Sequence, residues 1–393
     1  MLTNQTTTDQ AQNNVQAKKL GLYVHIPFCE KKCDYCDFVS FCKPNQDKLK
    51  YINSLCAEIA SQATKFKDYD VDTIYIGGGT PSCLPNGAIS LILHKIYQNF
   101  RVLKTAEITI ECNPNSIDIA KLQEYRRSKI NRLSIGLQAY NNKLLKLIGR
   151  LHTKADFDNA IRRAKLLGFK NISADVIIGL PKQKMRHIKH QLKHLKRLGI
   201  KHISAYGLMV EDGTKLAQDL KQGVYKLPSD LLQEKMYDYT KKYLQKNGYI
   251  RYEVSNFALH GYESQHNLKY WTNCEYLGLG LNASSYVNHT RWRNTDNFDE
   301  YIKTSGNGQL KRYEMEVVDT NSQIEECIML SLRTSKGLDL TNFFNRFNVN
   351  LLQTKSKQID ALSKDGLVAI KDNCLACTDR GFKFLNQVIL QLI

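Results

Sequence analysis

The sequence predicts an α/β fold: a partial, TIM-like (β/α)6 barrel followed by a helical, winged-helix-like module. Three observations carry this. From Gly21 to about residue 211, short apolar runs alternate six times with amphipathic helical patterns, and a helix between successive strands is the crossover that parallel pairing requires. Residues with no obvious packing role stand at or near the end of each apolar run, where such barrels gather their chemistry. Beyond residue 211 the alternation stops, and from about Asp319 helical patterns lead into a short hairpin and a last helix.

The strand-like runs are Leu22–Ile26, Thr73–Ile76, Glu107–Glu111, Arg132–Leu137, Ile172–Ile178 and Ile203–Leu208. Helical patterns fall near 46–66, 86–100, 116–128, 141–148, 154–168 and 184–198, then 229–246. In the C-terminal part they fall at 322–333, 339–347 and 351–364, ahead of a hairpin from Leu367–Lys371 and Leu375–Thr378. This divides the chain into a polar, disordered tail (1–19), a core barrel (20–247), an extension (248–315) and a C-terminal module (316–393).

The first run opens into Cys29-Glu-Lys-Lys-Cys33-Asp-Tyr-Cys36. Three thiolates in a C-x3-C-x2-C loop can hold three corners of a 4Fe–4S cubane, which normally takes four cysteines, so one iron keeps an open position. Structural zinc is the competing metal; it needs a fourth protein ligand, and His25 is the nearest candidate. An imidazole inside an alternating strand is more plainly a structural group.

An open iron can chelate the amino and carboxylate groups of S-adenosylmethionine, and the later strand ends suit the rest of that molecule. Gly77-Gly78-Gly79-Thr80-Pro81 offers bare backbone for close approach. Glu111 and Gln138 suit the ribose hydroxyls or the amino group, and Asp175 the ribose. Arg150 suits the methionyl carboxylate. The rings of Tyr23 and Tyr35 suit the sulfonium or adenine. Gly207 stands near the end of the sixth run.

Lysine and arginine exceed aspartate and glutamate by 18 charges, enough to attract anions. The densest basic stretch, 182–201, has Met185, Ile188, Leu192 and Leu195 at helical spacing, so its cations form the wet face of an amphipathic helix. Aromatics do not interleave with those charges, which argues against a nucleic-acid surface. No run of about 18 apolar residues predicts a membrane span, and the opening residues lack a signal-peptide core; a cytoplasmic protein is expected. Eleven cysteines in such a chain point to reduced thiols. Cys374-Leu-Ala-Cys377 has ligand spacing but no second pair, and is expected to be buried packing.

These residues resemble the radical SAM superfamily, in its coproporphyrinogen-oxidase-like branch. The resemblance rests on Tyr23 to Phe38, Gly77 to Pro81, Gln138, Arg150 and Asp175-Val-Ile-Ile-Gly-Leu-Pro181. Within the branch, His266-Asn267-Leu-Lys-Tyr270-Trp271 is similar to the H-N-x-x-Y-W signature of the heme-chaperone family. That resemblance implies heme at His266, Asn267, Tyr270 and Trp271, transfer to acceptor hemoproteins and a possible homodimer. From bare chemistry alone, His266 and Asn267 read first as polar residues that tie a loop to the barrel rim, and only the family resemblance reverses this. The oxidase of the branch carries another cysteine two residues after the third; here Asp37-Phe38 follows Cys36. Its longer N-terminal segment is also replaced by a short polar tail. Radical cleavage of S-adenosylmethionine with porphyrinogen decarboxylation, and nucleic-acid binding through the C-terminal module, stand as the two other readings.

Overall fold

The computed structural model describes residues 17–307 and 309–393. Residues 1–16 of the expected tail lie outside them, whereas Lys18 and Lys19, also assigned to that tail, open the first strand. Strands and helices then alternate: β1 (Lys18–Ile26), α1 (Asn45–Ala63), β2 (Tyr69–Gly78), α2 (Ala88–Asn99), β3 (Arg101–Cys112), α3 (Ile119–Arg127), β4 (Arg132–Gln138), α4 (Asn142–Leu147), α5 (Lys154–Leu166), β5 (Asn171–Ile178), α6 (Met185–Arg197) and β6 (His202–Gly207). The six strands pair in sequence order, all parallel. This is the partial barrel.

Local chemistry starts the crossover helices where the strands end. Asp118, Asn141 and Thr153 each accept a first-turn backbone N–H, and Thr153 and Asp156 satisfy each other reciprocally. α6 buries Ile188, Leu192 and Leu195 and leaves its lysines outside, the wet face its spacing predicts. Along β4, Leu133, Ile135 and Leu137 join the outer core. The alternate residues Arg132, Ser134, Gly136 and Gln138 line a cavity within the barrel.

The next elements are α7 (Lys215–Lys221), α8 (Asp230–Lys246), β7 (Ile250–Arg251), β8 (Asn256–Ala258), α9 (Gln265–Trp271), β9 (Tyr276–Leu279), β10 (Ser284–Val287), β11 (Thr290–Asn294), α10 (Phe298–Thr304) and β12 (Arg312–Val317). The expected extension is thereby absorbed into the barrel sheet, at both edges. β8 pairs antiparallel with β6, while β9 pairs parallel with β1 and leads to β10, β11 and β12, making twelve strands among the described residues. These strands are too short for an alternating pattern to announce them. Buried polar groups fasten the added edge. Glu58 accepts from Gly280 N (2.9 Å), Asn294 Nδ2 (3.0 Å) and the Tyr301 hydroxyl (2.6 Å).

α9 closes the barrel floor, opposite the cysteine loop. The carboxylate of Glu107, early in the paired part of β3, accepts the N–H groups of Gln265 (3.1 Å) and His266 (3.2 Å). Lys269 pairs with Asp72 of β2 at 2.8 Å. An acidic group at a helix N-terminus satisfies donors that have no partner within the helix.

The C-terminal module comprises α11 (Thr320–Ser331), β13 (Leu338–Asp339), α12 (Leu340–Phe347), α13 (Leu351–Thr354), α14 (Ser356–Lys364), β14 (Val368–Lys371), β15 (Cys374–Cys377) and α15 (Leu385–Leu392). Its antiparallel sheet runs β13-β15-β14, and it has its own core around Leu332, Phe343, Leu362, Leu375 and Val388. Cys374 and Cys377 are buried on β15. The module is held to the barrel by apolar packing of Val254 on its core, by a backbone bond from Ser335 N to Tyr252 O (3.0 Å) and by charge. Asp379 meets Arg251 (3.0 Å) and Lys241 (3.3 Å), and Lys383 meets Glu234 (2.7 Å) and Asp238 (2.8 Å). Among the described residues no helix is long and apolar enough to cross a membrane.

Candidate functional site

A cavity of about 520 Å³ runs from the cysteine loop down the inside of the barrel. The loop is fixed at several points. Cys29 N donates to Phe41 O (3.1 Å), Asp34 N to Ile148 O (3.2 Å), Cys36 N to Cys33 O (3.1 Å), and Leu216 N to Asp34 O (2.7 Å). Cys29, Cys33 and Cys36 are half-buried free thiols. The Thr80 hydroxyl lies 3.4 Å from Cys29 Sγ, and Arg150 Nη1 donates to Cys33 Sγ at 3.6 Å. Burial pushes the Cys29 and Cys36 thiols up, and the neighbouring cysteines add to this.

The glycine run is stitched to the same loop: Gly79 N donates to Ile26 O (2.9 Å) and Thr80 N to Phe28 O (2.7 Å). A Cβ on Gly79 would lie 2.7 Å from Phe28 O, so only glycine permits this approach. Gly78 N donates to Glu111 Oε2 at 3.1 Å, and the Tyr75 hydroxyl donates to Oε1 at 2.7 Å. Burial first, and then the nearby Asp175 carboxylate, push Glu111 up to about 7. Asp175 is also raised by burial, which hydroxyls including Ser134 (3.1 Å) partly offset. Gln138 sits at φ +62° where the β4–β5 register slips, a strained conformation of the kind found at binding sites. Arg150 Nη2 donates to Asn113 Oδ1 (2.5 Å) and Gly136 O (3.2 Å).

The barrel brings most of the expected residues together. Cys29, Cys33, Tyr35, Cys36, Gly78, Gly79, Thr80, Glu111, Gln138, Arg150, Asp175 and Gly207 all line this cavity. Tyr23, expected beside the sulfonium or adenine, does not; its hydroxyl is bonded to His25 Nδ1 at 3.0 Å and its ring faces Tyr75. Of the heme motif, only Asn267 reaches the cavity, from α9. His266 is 1% exposed. Its Nδ1 shares a hydrogen bond with the Thr73 hydroxyl (2.8 Å), its Nε2 with that of Tyr270 (2.9 Å), and its ring lies on Tyr75. Both nitrogens are therefore engaged, and burial drives its pKa down to about 3. Tyr270 packs edge-on against Tyr276, and Trp271 is half-buried outside the cavity.

The chain matches the Radical SAM superfamily over residues 23–195 and the HemN C-terminal domain over residues 318–384. It is 37% identical over 371 residues to the heme chaperone HemW of Lactococcus lactis, covering 94% of this chain and 96% of that one. It is 34% identical over 370 residues to HemW of Bacillus subtilis, covering 93% and 97%. The chain belongs to the HemW family of radical SAM proteins. The fold is also that of coproporphyrinogen III oxidase (HemN) from Escherichia coli, a radical SAM enzyme, at TM-score 0.83 and 25% identity over 96% of this chain and 90% of that one.

Membership of the HemW family within the radical SAM superfamily implies a 4Fe–4S cluster and S-adenosylmethionine, and the donor set fits. Three soft thiols border a cavity on one loop, the arrangement that leaves one iron of a cubane open. His25 does not line the cavity: it is bonded to Tyr23 and covered by Gly78, whose Cβ would stand 2.5 Å from the ring. The zinc reading thus loses its expected fourth ligand.

Tyr75, Asn113, Arg132, Ser134, Ser204, Tyr206 and Met209 also line the cavity and were not singled out from sequence. Arg132 and Ser134 carried a usable signal, since they alternate with Leu133 and Ile135 in register with Gln138. Tyr75 carried none, because an aromatic in an apolar strand is ordinarily core.

Proposed function

We propose that this protein is a heme chaperone that holds a 4Fe–4S cluster on Cys29, Cys33 and Cys36, takes S-adenosylmethionine into the barrel cavity, and passes heme to an acceptor hemoprotein. The observation that carries the reading is convergence: groups from five strands, β2 to β6, and from the cysteine loop that follows β1 border one cavity, in a chain whose relatives of matching length are named heme chaperones. When bound, the cluster supplies an iron with no protein donor, to which an amino acid's amino and carboxylate groups can chelate. The chain's own groups do the rest. The Gly78–Thr80 backbone admits the ligand closely, Glu111 and Asp175 accept its hydrogen bonds, and Arg150 holds Asn113 and Gly136 in place beside Cys33.

The experiment is anaerobic cluster reconstitution followed by two parallel measurements. Heme uptake, with transfer to an apo-hemoprotein, is expected. Conversion of coproporphyrinogen III to protoporphyrinogen without heme uptake would overturn the reading in favour of the oxidase, which the shared fold keeps as the second reading.

A further inference from the structure

The outer face of α6 is charged beyond what solubility asks of a helix. No acidic residue stands between Asp175 and Glu211, and eight lysines and arginines fall within 182–201. Along α6, Arg186, Lys189, Lys193, Lys196 and Arg197 recur at three- and four-residue spacing and are all exposed, so they form one stripe. Like charges at this spacing repel, and a cation in the first turn opposes the helix dipole. Among the described residues none of the eight is paired with a carboxylate. Those on the helices beside α6 are engaged elsewhere: Asp158 of α5 with His194 (2.7 Å) and the Tyr140 hydroxyl (2.7 Å), Glu234 and Asp238 of α8 with Lys383. At the head of the stripe, a cavity of about 500 Å³ is lined by Lys182, Lys184, Lys226, Tyr225, Val224 and Leu227, and by no acidic residue.

We propose that the α6 stripe and the cavity at its head are the docking surface for an acidic face of the acceptor hemoprotein. The proposal rests on the heme-chaperone reading. A protein that hands on its cargo and departs needs fast encounter more than long residence, and complementary charge supplies association rate more than affinity. A row of unpaired cations matches a row of carboxylates. Val224 and Leu227, 54% and 37% exposed beside three lysines, suit an apolar side chain flanked by acids. Two features disfavour other polyanions. Tyr225 and Tyr239 lie under Lys182 and Lys189, each at 5.4 Å, so the rings that would stack on bases are already capped by cations. The apolar residues of α6, Ile188, Leu192 and Leu195, pack into the core, which leaves the helix no apolar face to sink into a bilayer.

The test uses the full chain loaded with cluster and heme: wild type, the triple variant Lys189→Glu, Lys193→Glu, Lys196→Glu, and the same three positions changed to Gln. Heme transfer to the apo form of a small acidic b-type cytochrome is followed by stopped-flow absorbance from about 50 mM to about 500 mM salt. Transfer at low salt is expected to be about tenfold slower in the glutamate variant and less impaired in the glutamine variant, with all three converging at high salt. Heme uptake should be unchanged, and neither variant should melt below wild type, because repulsion along α6 is relieved. Added poly-glutamate should slow wild-type transfer. Equal transfer rates in the three proteins at low salt, or tighter binding of poly-uridylate or of phosphatidylglycerol vesicles than of poly-glutamate, would overturn the docking surface while leaving the chaperone reading standing. Failure of the wild-type protein to take up heme would overturn both.

Discussion

The Tyr75 side chain bridges the two ends of the barrel: its hydroxyl donates to Glu111 Oε1 at 2.7 Å while its ring lies 5.3 Å from that of His266. Glu111 in turn accepts from Gly78 N beside the cysteine loop. The floor helix and the glycine run are thus joined by three contacts, through Tyr75 and Glu111.

Tyr75→Phe removes the hydroxyl that favours ionised Glu111, so the carboxyl moves further above about 7. A hydrogen bond to a charged group contributes roughly 1.5–3 kcal/mol. The S-adenosylmethionine affinity of the cluster-loaded variant is therefore expected to drop by about tenfold or more near neutral pH and to recover as pH rises. Isothermal titration across pH measures this; an affinity profile overlying that of wild type would refute it.

Cys29→Ala, Cys33→Ala and Cys36→Ala are each expected to lose the iron and sulfide of the reconstituted cluster. Cys374→Ala and Cys377→Ala, buried on β15 and remote from the cavity lining, should keep the full complement. Iron and acid-labile sulfide analysis decides, and retention in any one of the first three would disprove that cysteine as a ligand.

Burial pushes Glu58 up to about 7 from 4.5. Between those values the folded chain keeps a proton that the unfolded chain has released, so this group's contribution to stability declines as pH rises from about 4.5 to about 7. Glu111 and Glu253, also raised to about 7 by burial, act with the same sign. Buried His25, His152 and His266, lowered to about 4, 3 and 3, act with the opposite sign over much of the same window, so the effect of Glu58 is read as a difference: the melting temperature of Glu58→Gln should gain on that of wild type as pH rises from about 4.5 to about 7. A constant difference between the two across that window would remove Glu58 from the account.

Asp379→Ala strips the shared partner from Lys241 and Arg251, whose side chains are only 9% and 6% exposed. Because Asp379 is itself largely in water, the loss is screened and should come to about 1–2 kcal/mol. Urea unfolding should show it, together with faster proteolysis between barrel and C-terminal module; unaltered proteolysis would show that the apolar contacts suffice.

The parallel core and most of the cavity were legible because each leaves a pattern along a single segment. Six strand–helix periods fix the order of pairing, and the cavity residues sit where each strand stops. What stayed hidden depends on partners distant in sequence. β7 to β9 are too short to show alternation, and only their contacts with β6 and β1 define them. The motif at 266–271 was visible as letters, but its placement depends on Glu107 and Asp72, two acidic residues that look like ordinary surface charge. Tyr23 shows the opposite failure: its place in the motif is evident, yet the strand directs its hydroxyl to His25 rather than into the cavity.

β1 lies between β2 and β9, and this sets a schedule for biosynthesis. During translation the strand that leads into the cysteine loop can join β2 early. Its other edge stays bare until Tyr276–Leu279 has left the ribosome. A nascent chain therefore carries a strand with one bare edge beside three thiols until residue 279 of 393 has emerged. Metallation of a finished fold, rather than of a growing one, is the order this topology favours.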